Sequence, residues 1–280
     1  MKIRMARMLM ALLSFGSVVA RADNSELVFS DHGQAVLKLT LEKIEAKVSP
    51  EDLSVYEAHE KRNAHYRAVP VGELFTEVYG PGWKKAEDVT FVCQDGYRQA
   101  VPVEKLVKER SLLAVDRKDP RLVRGFTLVN RFQKNELVHL GPYYLIWDNL
   151  NGAAEKQEMP QDAPYQIVQI NLTNFSDLSP HSAPTANSSK TIRDGFLSFR
   201  NHCAACHAVN GDGGKKAIEL NQPASVTKRF ADAKLKQWIL NPRSINPDSK
   251  MLALRDFSPH PEATADDIIS YLKFLAAGSK

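Results

Sequence analysis

Residues 201–210 read NHCAACHAVN, which places two of the chain's three cysteines two residues apart with a histidine directly after the second. Any fold must therefore present Cys203, Cys206 and His207 together on one short turn. Three chemistries use a C-x-x-C pair. A thioredoxin-like redox pair needs a βαβ setting, and the flanks here carry helical periodicity. A zinc site needs two further ligands at suitable spacing, and the chain has no second cysteine pair. The remaining pattern, C-x-x-C-H, is that of covalent haem attachment. Two thiols a helical turn apart can each add to one vinyl group on the same porphyrin edge. The next imidazole then lies beneath the iron. This use consumes both thiols and leaves Cys93 without a disulfide partner.

The N-terminus reads as an export signal. Lys2, Arg4 and Arg7 form a basic region, Met8 to Ala20 is mostly apolar, and Ala20-Arg21-Ala22 fits a small-x-small cleavage site. Residues 1–22 are thus expected to be a signal peptide, and the protein periplasmic. That segment holds four basic residues and no acid, so the formal charge of +4 falls to zero without it. A neutral remainder gives no electrostatic footprint for nucleic acid. No run of 18 apolar residues occurs, so no stable membrane span is expected after signal removal.

The remaining chain divides at Ser176–Lys190, a run rich in Ser, Pro, Ala and Asn without apolar periodicity, as a linker reads. The fold class expected is α+β: mixed α/β over 23–175, a linker over 176–190, and an all-α domain over 191–280. In the first part, strands are predicted at Val36–Leu41, Ser111–Asp116, Glu136–Asn149 and Tyr165–Leu172. A strand–turn–strand unit is predicted over Asp88–Val103, and a helix over Val69–Gly80. In the last part, helices are predicted from Thr191, with Asp194 completing an approximate capping box, over Ala231–Pro242, and from Thr264 to Gly278.

Gly195, Phe199, Cys203, Cys206 and His207 follow a Gly-x3-aromatic-x3-C-x-x-C-H pattern. Asn210–Gly214 is a glycine-rich run, and Asn241–Met251 reads NPRSINPDSKM. In these features residues 191–280 resemble a class I cytochrome c. The resemblance implies one covalent haem c on Cys203 and Cys206, with His207 and Met251 as axial ligands of the iron. It also implies a close crossing of the first and last helices at Gly195 and Tyr271. For Met251 a core-filling role stays open, and His260 is the other candidate sixth ligand. Ile218 stands where the family usually has a proline whose carbonyl orients the proximal histidine. Leu252 stands where proline commonly follows the methionine. Trp238 reads as core. Arg243 and Lys250 could meet haem propionates or simply be solvated.

Phe91–Leu106, Leu112–Asp116 and Gly141–Asn149 resemble a short sulfite-oxidase-type molybdopterin domain. In that family a cysteine thiolate binds molybdenum, and Cys93 is the matching candidate. The domain is short for a pterin pocket, so Cys93 is expected to be a buried strand thiol and molybdopterin is not expected. Arg98, Arg117, Arg121 and Arg124 are candidate phosphate anchors that read equally as solvated surface. His59 and His65, near Glu60, read as surface residues. Tyr143, Tyr144 and Trp147 fit core packing or a partner-docking face.

The function expected is one-electron transfer by an exported monohaem cytochrome, meeting redox protein donors and acceptors transiently, with the first domain for docking or positioning. One alternative is a molybdenum oxidoreductase passing electrons to its fused haem. Another is a haem-based sensor or binding protein.

Overall fold

The computed structural model describes residues 26–118, 125–152 and 162–278 of the 280-residue chain. The expected signal peptide, Arg121 and Arg124 lie outside the described residues. The first part builds β1 (Leu27–Asp31), β2 (Gln34–Leu39), α1 (Leu41–Lys47), β3 (Glu51–Glu57), β4 (Arg62–Pro70), α2 (Val71–Tyr79), β5 (Asp88–Cys93), β6 (Arg98–Pro102), α3 (Val103–Lys108), β7 (Ser111–Arg117), β8 (Thr127–Asn130), β9 (Glu136–His139), β10 (Tyr144–Trp147) and β11 (Ile167–Thr173). The second builds α4 (Phe175–Leu178), α5 (Lys190–His202), β12 (Ala208–Val209), β13 (Asp212–Gly213), α6 (Val226–Arg229), α7 (Asp232–Leu240) and α8 (Pro261–Gly278). Helices and sheets are both present, as the α+β expectation requires.

The β strands form a five-stranded sheet in the order β2-β1-β11-β5-β6 and a four-stranded sheet in the order β10-β7-β4-β3. Only β1 and β11 run parallel in these two sheets; every other neighbouring pair is antiparallel. Side chains alternate across a strand, and the four-stranded sheet uses both faces. Leu113, Leu145 and Trp147 join one core with Phe29, Phe91, Leu74 and Trp83. Their neighbours Leu112, Ala114, Tyr144 and Ile146 face the other way and form a second core with Leu128 and Val138. These last two belong to the β8–β9 hairpin, so that hairpin lies on the outer face of the sheet.

Several expectations are corrected. The strand placed at Val36–Leu41 ends at Leu39 because Thr40 caps α1, its hydroxyl accepting from the Lys43 N–H at 3.5 Å. The strand placed at Glu136–Asn149 is two strands in different sheets, β9 and β10, parted at Gly141-Pro142, where proline withholds a ladder donor. Strands β1, β3, β4 and β8 were not foreseen, and the part expected to be all-α carries the two-residue pair β12–β13. The first long helix is capped by Ser189, which accepts from the Ile192 N–H, rather than at Thr191. The last helix begins at Pro261, a residue suited to a first turn because its missing N–H would be unsatisfied there anyway.

Two corrections concern charge. His59 is buried, not a surface residue, and donates through Nδ1 to Glu57 at 2.8 Å. Arg117 is also sealed, its guanidinium holding Glu60 at 2.8 and 3.1 Å and the Thr127 carbonyl at 2.7 Å. Tyr66 and Tyr144 both donate to the second oxygen of Glu57. Burial pushes the Glu57 and Glu60 carboxyls up, but these hydrogen bonds outweigh it and hold both below the ordinary value.

In the second part, α5 and α8 cross at Gly195. A Cβ there would lie 2.1 Å from the Asp267 carbonyl oxygen and 2.8 Å from the Tyr271 Cβ. Only hydrogen fits. Phe196 and Phe199 then pack on Tyr271 with ring centres 5.6 and 5.7 Å away. Gly195→Ala should therefore destabilise this part by about 3 kcal/mol, the upper end for overpacking. Denaturant unfolding followed by helical circular dichroism would measure it, and an unchanged midpoint would refute the close crossing.

Candidate haem-binding site

The site begins where α5 runs out of hydrogen bonds. The Cys203 and Ala204 N–H groups both donate to the Phe199 carbonyl, at 2.8 and 2.9 Å. The Cys206 and His207 N–H groups then both donate to the Cys203 carbonyl, at 3.0 and 2.9 Å. This tight winding brings Cys203, Cys206 and His207 onto one turn, all three half-buried. No cysteine is bonded to another.

The chain then folds back along this turn. The Gly214 N–H donates to Ala204, Ala217 to Cys206 and Leu220 to Ala208. Gly214 passes so close that a Cβ would sit 2.0 Å from the Ala205 carbonyl oxygen, which explains the glycine-rich run after the motif. The return brings the Ile218 carbonyl to 2.7 Å from His207 Nδ1. A carbonyl only accepts, so Nδ1 carries the proton and Nε2 keeps its lone pair. Burial pushes the His207 pKa down, outweighing the Ile218 carbonyl, which keeps the ring neutral as a ligand must be. The missing proline therefore costs nothing here, because the main chain supplies the acceptor and the Ile218 side chain points to solvent, 60% exposed.

Burial also pushes the Cys203 thiol up to about 12 and raises that of Cys206. Both are neutral thiols ready to be consumed rather than thiolates poised for exchange. This donor set, two uncharged thiols and one neutral imidazole with a fixed tautomer, fits a covalently held haem. The cytochrome c family model matches residues 192–276. This segment is a cytochrome c domain. Such a domain supports a haem-binding, electron-transfer role. No curated protein matches the chain.

Met251 is half-buried, and its N–H donates to the Ser249 hydroxyl at 3.2 Å. His260 is exposed, and its carbonyl accepts from the Thr264 N–H at the start of α8. Trp238 is half-buried against Phe230, with ring centres 5.9 Å apart, while Leu235 and Ile239 carry the core face of α7.

The run expected to be a linker packs against the cytochrome c domain. His181 binds Asp212 through its main-chain N–H and its ring, at 2.7 and 3.0 Å. Tyr271 donates to the Ser182 carbonyl at 2.9 Å.

The first part of the chain meets the cytochrome c domain at two places. One is the motif turn. The Arg98 N–H donates to the Ala205 carbonyl and the Lys215 N–H to the Gly96 carbonyl, at 2.9 and 2.8 Å. Lys216 reaches Asp95 at 2.7 Å and lies over the rings of Tyr97 and Tyr165, while Arg200 binds Asp88 at 2.6 Å. The other is the segment before Met251. Arg243 donates to the Phe132 carbonyl at 2.8 Å, and Lys250 binds Glu136 at 2.6 Å. Both cations were candidates for propionates or solvent, and both instead bind the first part of the chain. No sequence signal marks these contacts.

Cys93 ends β5 inside the larger core, 4% exposed, and burial pushes its thiol up to about 12. Its carbonyl accepts from the Gly96 N–H at 3.0 Å, in the turn that bonds the motif turn. His65 meets Ser54 and is remote from any cluster: among the described residues no group of three His, Cys, Asp or Glu side chains could hold a metal ion. Tyr143, Tyr144 and Trp147 are all buried, which assigns them to packing. Arg98 is exposed.

Because a main-chain oxygen orients His207, the Ile218 side chain is dispensable. Ile218→Ala should leave the reduced absorption spectrum of the haem-loaded protein unchanged. A shifted spectrum would mean that the side chain itself sets the ligand.

Proposed function

We propose that the protein is an exported, single-haem electron carrier of class I type, whose first domain positions the cytochrome c domain and works without molybdenum. The observation that carries the reading is the His207–Ile218 hydrogen bond beside Cys203 and Cys206. Cys203 and Cys206 would hold the haem through thioethers, and His207 Nε2 and the Met251 thioether would be its axial ligands. When bound, the group supplies a reversible one-electron couple. The chain's own contribution is a neutral imidazole, a soft sulfur donor that favours reduced iron, and a buried setting. Redox donors and acceptors would meet it transiently.

Among the described residues no helix is long and apolar enough to cross a membrane. The signal would be released by cleavage after Ala22. N-terminal sequencing of protein recovered from the periplasm tests that point and should begin at Asp23. The sulfite-oxidase-like identity of residues 23–175 is likewise a reading from resemblance. A Cys93 packed in the core, 4% exposed, supports a domain without molybdenum.

The molybdenum-oxidoreductase alternative keeps one favouring observation: the turn that follows Cys93 is hydrogen-bonded to the motif turn through Gly96 and Arg98, so a centre bound at Cys93 would lie on the haem side of the first part. Metal analysis of the full chain separates the two. Stoichiometric molybdenum that disappears in Cys93→Ala would favour the oxidoreductase.

Two outcomes are expected for the carrier. Iron porphyrin should stay with the denatured chain in acidified organic solvent, and should be extracted from Cys203→Ser/Cys206→Ser. The reduced protein should not take up carbon monoxide rapidly at neutral pH, whereas Met251→Ala should, with a lower potential. Rapid uptake by the unaltered protein would favour a sensor.

A further inference from the structure

The β8–β9 hairpin belongs to neither large sheet, yet among the described residues it supplies the hydrogen bonds and ion pairs that hold the segment 243–250 to the first part of the chain. Its tip, residues 131–135, carries the Phe132 carbonyl and Lys134, and its second strand opens with Glu136. Lys134 reaches Asp248 at 2.8 Å, Glu136 accepts from Lys250 at 2.6 and 2.9 Å, and the Phe132 carbonyl accepts from Arg243 at 2.8 Å. Arg243 also donates to the Ser249 carbonyl at 3.4 Å, and the Ser249 hydroxyl accepts from the Met251 N–H at 3.2 Å. A continuous polar chain thus runs from Phe132 through Arg243 and Ser249 to Met251.

The hairpin is itself held from below. Glu60 accepts from the Val129 N–H at 2.9 Å, Arg117 donates to the Thr127 carbonyl, and the Arg131 N–H donates to the His59 carbonyl at 3.3 Å. The His59 ring packs edge-on against Phe132. The buried polar groups of Glu57, His59, Glu60 and Arg117 therefore anchor the base of the hairpin, and its tip grips the segment that leads to the methionine. The tip is shaped for the task. Lys134 and Asn135 both adopt left-handed backbone, with φ of 58° and 57°. Glycine or asparagine favours that region over lysine. A lysine there is accounted for by what its ammonium reaches.

We propose that the β8–β9 hairpin is a strap across the domain boundary that positions Met251, with Lys134, Glu136 and the Phe132 carbonyl as its grip. This rests on Met251 being the sixth ligand. The strap restrains the segment 243–251 so that the thioether is presented to the iron, and loosening it exposes the sixth position to outside ligands. Lys134, Asp248, Glu136 and Lys250 are all exposed, so salt screens both pairs.

The test is imidazole binding to the ferric, haem-loaded full chain, with hydrogen exchange of residues 243–251 as a readout independent of the iron. Lys134→Glu/Glu136→Lys places like charges against Asp248 and Lys250. It should raise imidazole affinity about tenfold, the scale for losing two exposed pairs, and speed exchange in that segment. Adding Asp248→Lys/Lys250→Glu restores opposite charges and should return both readouts towards the original. Lys134→Gly relieves the backbone and keeps the hairpin folded, so raised imidazole affinity and faster exchange in that variant would assign the effect to the ammonium. Met251→Ala should raise imidazole affinity whatever the strap does. If it does not, the ligand assignment fails. If it does, but the charge reversal leaves affinity within twofold and exchange unchanged, the strap is overturned.

Discussion

An imidazole serves a metal through one nitrogen reliably only when the other nitrogen is engaged. In this protein the engagement is the bond from His207 Nδ1 to the Ile218 carbonyl, and much of the second domain exists to bring those two groups together. The turn that carries His207 is the unwound end of α5, so its place depends on where α5 lies. That in turn is set by the crossing with α8, where Gly195 admits the Asp267 carbonyl. The acceptor arrives by a loop that must pass within touching distance of the same turn, which Gly214 permits. Two glycines with no space for a Cβ thus fix the two sides of one hydrogen bond. A carbonyl is a main-chain group, so the substitution of isoleucine for the customary proline leaves the chemistry of the site intact.

The boundary between the domains is built from polar contacts that have unequal energetic weight. At the motif turn, burial raises the Asp88 pKa even though Arg200 stands beside it. An acid with a raised folded-state pKa is less readily ionised after folding, so this pair adds little net stability at neutral pH. Its effect is orientation: with one partner gone, the other charge is left stranded in a place where water is scarce. The two main-chain bonds between 96–98 and 205–215 act similarly, since each satisfies a group that would otherwise face its neighbour unpaired. Near Met251 the pairs are exposed and individually weak. The boundary is therefore firm at the motif turn and loose on the methionine side.

Much of the second domain was legible in the sequence because its constraints are local. The C-x-x-C-H spacing, the glycine four residues before an aromatic, and the 3.6-residue periodicity of the last helix each refer to neighbours along the chain. The first domain was less legible for the opposite reason. Strands β3 and β4 do alternate, with Leu53, Val55, Ala64 and Tyr66 buried, but Glu57, His59 and Glu60 interrupt the apolar pattern at the point where the chain turns. Of these, His59 reads as surface because polar ionisable side chains are rarely buried without partners. Their partners, Arg117, Tyr144 and Val129, come from 57 to 87 residues away, and no single-sequence pattern links them. The contacts of Arg243 and Lys250 were unreadable on the same ground: each looks like an ordinary solvated cation until the other domain is in view.

That hidden network also answers why a small domain would bury two glutamates, a histidine and an arginine together. Hydrophobic side chains of similar volume would be at least as stable in such a place, since taking charges out of water is costly. What apolar packing cannot do is hold a particular piece of backbone at a particular height. Glu60 and Arg117 bond the Val129 N–H and the Thr127 carbonyl, both in β8, and so fix β8 along its length as well as against the sheet. A hairpin merely resting on Leu128 and Val138 could slide by a residue, and each slip would exchange its inner and outer faces. Pinned by charge, it delivers the Phe132 carbonyl to one position, which is the property needed of a group that must meet Arg243 of another domain.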